Sequence, residues 1–290
     1  MSSMSNTPGW TVARLLPVNN DAQSAFDWLV RHESLSRNQQ IHLQATALAN
    51  VEDFYDSNPA VNARLADPDN DLKKMWTGHF QLTFSNLRSG QSLLGWRMGR
   101  GSDTAQASDR NVDILVTPPG KHSGGVVPLH SFIHFHPVSG CLMLMGVNKI
   151  HPVRYELNNE TLELRDGDKH VLYQQTNRFS LGTLDFKLVF ENQTPADFAM
   201  FVGFRNDHLR RFQLRLPHPR ISAIPRKNHA MVAGVVVHDI LNFGSFGVVS
   251  AAVDAKTGEQ MAMKDMLIKT EDVKDSFDRE LNFSTRFKVS

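Results

Sequence analysis

The sequence predicts a mainly-β protein, on three observations. Short alternating segments run from Phe80 to Phe190 with Gly, Pro, Asn or Asp between them; more strand-length segments follow between Val235 and Lys264; helical periodicity is limited to stretches before Tyr55 and one after Thr270. The central strands are expected at Phe80–Phe84, Trp96–Gly99, Val112–Val116, Phe132–His136, Leu142–Met145, Val153–Tyr155, Thr161–Leu164, Val171–Tyr173, Phe179–Leu181 and Asp185–Phe190. Many short strands punctuated in this way build a β-sandwich.

In order along the chain, Asp21–His32 places Ala22, Ala25, Phe26 and Leu29 at helical spacing with Asp21 as the expected cap, and Ile41–Tyr55 is a second expected helix. The polar, Asn-, Asp- and Pro-rich stretch Asn58–Asp71 reads as a loop. Residues 1–76 are therefore expected to be a helical or flexible leader and 77–191 the sandwich. Phe198–Pro225 interleaves Arg205, Arg210, Arg211, Arg215 and Arg220 with Leu209, Phe212, Leu214 and Leu216, the pattern of a connector docked on its neighbours rather than a nucleic-acid patch. It gives a basic linker over 192–230, and 231–290 forms the last unit.

Composition narrows the function classes. A chain of 290 residues with 41% hydrophobic and 21% charged residues can bury a core and hold about two domains. Its 31 Lys and Arg against 30 Asp and Glu leave no global field for nucleic acid or a membrane surface. One cysteine, Cys141, forbids an internal disulfide and reads as a buried structural thiol. Apolar runs such as Cys141–Val147 and Met231–Val237 are far too short for a bilayer, and Met1–Pro8 carries no apolar signal core. The expectation is an unanchored intracellular protein of the cytoplasm or nucleus.

The chemistry concentrates near the C-terminus. Val235–Ile240 and Ser250–Val253 flank Asn242-Phe-Gly244-Ser-Phe246-Gly247-Val-Val249, a glycine hairpin whose backbone can approach phosphate oxygens with no Cβ in the way, Phe246 closing its tip. A turn at Asp254–Gln260 and a strand at Met261–Lys264 follow, with Ala262 and Lys264 on one face. Thr270 can cap a helix with Glu271 and Asp272 in its first turn and Val273, Phe277 and Leu281 on one face. Glu280 falls near that face, where an unpaired carboxylate is costly, and Lys264 is its natural partner. On the residues alone, an ordinary hairpin with a surface lysine is the competing reading.

Glycine loop, following valine, strand lysine and helix glutamate, in this order, resemble the small lobe of protein kinases over Met231–Leu281. The resemblance implies that Gly244 and Gly247 cradle phosphate, Val249 and Ala262 sandwich adenine, and Lys264 pairs with Glu280. Asn242 replaces the first glycine, which implies weaker phosphate contact. No His-Arg-Asp or Asp-Phe-Gly motif occurs in the sequence, so no catalytic residue is assigned, ATP is expected to bind weakly, and magnesium is not expected in this chain. The unit is expected to be a truncated α+β lobe, its Met261–Met266 edge open and its strands the least stable part of the chain.

Trp96-Arg-Met-Gly99-Arg100, Asn111-Val-Asp113-Ile114, His130, Leu164-Arg-Asp-Gly167-Asp168 and Phe179-Ser-Leu181-Gly182 resemble a forkhead-associated (FHA) domain over Thr77–Glu191. That family is a β-sandwich whose apical loops bind phosphothreonine peptides. The resemblance implies a phosphate-reading Arg100, a structural His130 and a polar reader at Asn148, with Val127 and Pro128 where the family has serine and arginine. The expected pocket is thus degenerate. His130, His134 and His136 share a strand face, but Phe132 sits among them and no cysteine or carboxylate completes a set, so no metal is expected.

Together the segments look like a fungal FHA-kinase protein. The implied role is its regulatory region, in which the FHA-like sandwich binds or positions a protein or phosphoprotein partner, with neither membrane nor nucleic acid. The alternatives are a non-catalytic FHA-only adaptor, or a fragment of an active serine/threonine kinase whose full gene supplies the catalytic lobe.

Overall fold

A computed structural model of the chain describes residues 11–32, 42–50, 74–84, 94–102, 112–118, 124–158, 160–191, 194–211, 213–226, 229–244, 247–266 and 274. The protein is mainly β. Its first strand, β1 (Thr11–Pro17), precedes helix α1 (Asn20–Arg31), and the next strands are β2 (Leu43–Asn50), β3 (Lys74–Thr83), β4 (Leu94–Gly99), β5 (Ile114–Leu115), β6 (Ser131–Phe135) and β7 (Leu142–Gly146). There follow β8 (Val153–Leu157), β9 (Glu160–Leu164), β10 (Lys169–Val171), β11 (Thr176–Leu181) and β12 (Leu184–Phe190), then helix α2 (Pro195–Arg211). The final strands are β13 (Ala230–Val232), β14 (Val235–Gly244), β15 (Gly247–Asp254) and β16 (Gln260–Asp265).

The strands form a seven-stranded sheet, β2-β3-β1-β12-β11-β8-β9, a five-stranded sheet, β10-β7-β6-β4-β5, and a four-stranded sheet, β13-β14-β15-β16. Strict alternation along β12, where Leu184, Phe186, Leu188 and Phe190 are buried and the residues between are half-buried, marks a sheet with one core face. The first two sheets meet through rings: Phe84, just after β3, stacks on Phe135 of β6 at 5.4 Å, and Tyr155 of β8 lies 5.1 Å from His170 of β10. Tyr155 satisfies its buried hydroxyl on Asn177 Oδ1 at 2.9 Å. The central strand segments coincide with β3 to β12 to within a few residues, β3 starting earlier and β10 ending earlier than expected.

Three expectations are corrected. The stretch read as a helical leader supplies two strands of the seven-stranded sheet: β1 pairs with β12 and β3, and Leu43–Asn50, inside the expected Ile41–Tyr55 helix, pairs with β3 as β2. Val12, Ala13 and Leu15 of β1 are fully buried, so tertiary pairing overrides what local periodicity suggests. Helix α1 forms where expected and buries Ala22, Ala25, Phe26 and Leu29, but Asn19 is its cap, not Asp21. Asn19 Oδ1 accepts from Ala22 N–H at 3.0 Å while its amide donates to Thr183 O at 2.7 Å, so the cap also fastens the helix to the β11–β12 hairpin.

The third correction lies in the expected basic linker, which contains α2. Thr194 precedes Pro195 at the first helical position, where a missing N–H costs nothing. Phe201 and Leu209 are buried, as are Ile221 and Ile224 beyond the helix, whereas Arg210, Arg211, Arg215 and Arg220 face solvent. The segment is docked by its apolar residues, with most of its cations turned outward. Arg205 is the exception, buried with Nε and Nη2 on Asn206 Oδ1. Among the described residues no helix is long and apolar enough to cross a membrane.

Candidate functional site

Loops at one end of the first two sheets gather around His130. The Arg100 amide donates to Val127 O at 3.2 Å and Gly101 N–H to Pro128 O at 3.0 Å, which lays the turn after β4 against the loop before β6. His130 Nδ1 accepts from Val127 N–H at 3.3 Å, so the ring proton sits on Nε2, 3.5 Å from Pro152 O. Val147 N–H adds a contact to His130 O at 3.4 Å. The ring thus ties the loop before β6 to the loop between β7 and β8. Burial pushes its pKa down to about 4, keeping it neutral, and at 0% exposure the ring is fully enclosed by the loops it ties.

Arg100 stands half-buried beside Val127, and Asn148 belongs to the loop that His130 fastens. Asn148 Oδ1 accepts from Ile150 and His151 N–H at 2.9 and 2.8 Å, an Asx turn that spends this oxygen on its own backbone. Two residues that sequence reasoning missed lie here: Leu129 is 37% exposed and Ile150 80%. Ile150, an isolated apolar residue in the polar run Asn-Lys-Ile-His, was the available signal. With exposed Lys149 beside it, this end of the molecule offers apolar and cationic contacts together.

The second constellation is on the four-stranded sheet. Gly244 and Gly247 are register partners closing the β14–β15 hairpin; Phe246, at its tip, lies outside the described residues. Asn242 pairs with Val249, Val249 with Lys264, and Ala251 with Ala262. Directly opposed antiparallel residues point to the same side, so Asn242, Val249 and Lys264 form one row across three strands, with Ala262 beside it. Asn242, Ala262 and Lys264 are exposed and Val249 half-buried. Gly247 has a second reason to be glycine: a Cβ there would lie 2.0 Å from Asp265 O. Glu280 lies outside the described residues, as does the helix expected around it apart from Lys274, which is helical.

Among the described residues β16 is an edge strand of this sheet. The sheet is not detached, however. Val171 N–H of β10 donates to Ala255 O at 2.8 Å, and Cys141, buried as expected with its thiol pushed up to about 11 by desolvation, lies 4.0 Å from His238 of β14. His134 and Phe132 share a strand face with rings 5.4 Å apart. Against known proteins, neither a family model nor a curated protein matches this chain.

Proposed function

We propose that this chain is the regulatory region of an FHA-kinase type of protein, in which an FHA-like sandwich receives a protein partner and a small-lobe-like sheet binds ATP weakly without transferring its phosphate. The sandwich in this reading comprises the seven- and five-stranded sheets and begins at β1, because the core of the seven-stranded sheet is incomplete without that strand. The observation that carries the nucleotide half is the row Asn242, Val249 and Lys264 with Ala262 beside it. A small apolar pair can floor a purine there while the ammonium reaches phosphate oxygens. The partner half rests on Arg100, Lys149, Leu129 and Ile150 around one end of the sandwich, a mixture suited to a peptide carrying negative charge beside an apolar side chain. The single buried cysteine suits a reducing, intracellular setting.

Titration of the full chain with a fluorescent ATP analogue tests the nucleotide half. Weak, saturable binding is expected, reduced about tenfold in Lys264→Ala, the loss of one charge-assisted phosphate bond. No phosphate should reach a generic substrate from labelled ATP and magnesium, because the 290 residues hold no Asp-Phe-Gly or His-Arg-Asp aspartate. Binding indifferent to Lys264→Ala would defeat the reading, as would transfer that this substitution abolishes.

A further inference from the structure

The turn joining β15 to β16 is built as a rigid lug. Asp254 accepts from Lys256 and Thr257 N–H on its carboxylate at 2.9 and 2.6 Å, and from Gly258 N–H on its carbonyl at 2.9 Å. A turn between the last two strands of a sheet ordinarily faces solvent and accepts many side chains. This one is seated instead. Ala255 and Gly258 are buried, Ala255 O accepts from Val171 N–H at 2.8 Å, and Gln260 Nε2 donates to Val138 O at 2.5 Å. A Cβ on Gly258 would stand 2.7 Å from His136 Cγ and Cδ2 and 2.8 Å from Met143 Sδ, so the seat admits only glycine. Alongside, His238 Nδ1 accepts from Ser222 N–H at 3.4 Å, fixing β14 to the segment that follows α2.

We propose that this glycine-keyed seat is a latch by which the mainly-β unit holds the β15–β16 hairpin, and with it Val249, Ala262 and Lys264, in one pose. The five-stranded sheet supplies the socket from the β6–β7 turn, β7 and β10; the four-stranded sheet supplies the lug. β7 and β10 also end in the loops around Asn148 and Asp168, where Gly146 N–H bonds Asp168 O at 3.0 Å. Strain applied to those loops therefore reaches the socket along two paired strands, and loosening the seat frees the hairpin that carries the lysine. The consequence for nucleotide rests on the reading above; the seat itself does not.

Two glycines make the test clean. Gly258 and Gly234 have φ of +81° and +80°, which asparagine tolerates, but a Cβ at Gly234 meets nothing within 4 Å. Gly258→Asn should therefore wedge the seat while Gly234→Asn imposes the same backbone demand in open space. By hydrogen exchange on the full chain, amides of β15, β16 and Val171 should exchange about tenfold faster in Gly258→Asn and stay unchanged in Gly234→Asn. Gln260→Ala, which removes one tie without a clash, should shift the same amides in the same direction and keeps the test decisive if Gly258→Asn does not fold. Affinity for the ATP analogue should fall in step with exchange. Equal exchange in the two asparagine variants, or an unchanged hairpin in Gln260→Ala where Gly258→Asn is insoluble, overturns the latch. Absence of nucleotide binding in the parent protein with the exchange contrast intact overturns the nucleotide reading and leaves the latch supported.

Discussion

Acidification from pH 7 to pH 5 is expected to cost this protein a large part of its stability, well before its carboxylates protonate. His130, His134, His136 and His238 are all buried, and desolvation lowers the first three to about 4 and His238 to about 3. The folded state therefore prefers each ring neutral. That contribution is fully present above the ordinary pKa of 6.5 and is lost progressively as pH falls from 6.5 toward 4, because the unfolded chain takes up protons that the folded chain refuses. The bonding explains the refusal. The Nδ1 atoms of His130, His136 and His238 accept backbone N–H groups from Val127, Ser139 and Ser222, and His134 Nε2 is buried without a partner among the described residues. By pH 5 each ring has lost roughly 2 kcal/mol of that stabilisation, so even with relaxation the total approaches the whole stability of a typical domain. The melting temperature should fall by about 10 °C or more between pH 7 and pH 5, with replacement of His238 by Gln flattening the profile. A melting temperature constant across that range would show that the rings charge without cost.

Phosphothreonine peptides are expected to bind the loop surface at least a hundredfold more weakly than a complete set of phosphate contacts would allow. Val127 and Pro128 stand at the two positions where the FHA resemblance calls for serine and arginine, and each lost charge-assisted bond is worth about 1.5–3 kcal/mol. The geometry leaves room for restoration. Both residues join the Arg100 turn through their carbonyl oxygens, which any residue possesses, and Pro128 is exposed. Val127→Ser combined with Pro128→Arg should therefore gain at least tenfold in affinity, and Arg100→Ala should cancel the gain. Calorimetric titration of a phosphothreonine peptide library decides it: micromolar binding by the parent protein that requires both phosphate and Arg100 would refute the expectation.

Much of the architecture was legible in the sequence because it is written locally. Alternation in Asp185–Phe190 and its neighbours marks strands with one buried face, and the spacing of Ala22, Ala25, Phe26 and Leu29 marks a helix that buries that face. The candidate nucleotide row was legible for the same reason: Ala262 and Lys264 must share a face of any strand that contains them. The register that brings Asn242 and Val249 beside Lys264 came only from pairing.

What the sequence could not reveal was decided by contacts distant in the chain. Thr11–Pro17 became a strand because β12 and β3, remote in sequence, offer edges on both sides of it, and Leu43–Asn50 became one because β3 does. Asn19 rather than Asp21 caps α1 because its amide also reaches Thr183 and Asp185. Gly258 read as an ordinary turn glycine and is the key to a seat, since only the folded chain puts His136 and Met143 against it. The sequence by itself determined which segments are strands in the central region and which side of each faces inward, because those follow from a residue's near neighbours. Tertiary structure alone decided where the first sheet begins, what His130 holds and how the last sheet is moored, because a backbone edge, a buried imidazole and a side-chain-free turn take their meaning from the groups packed against them.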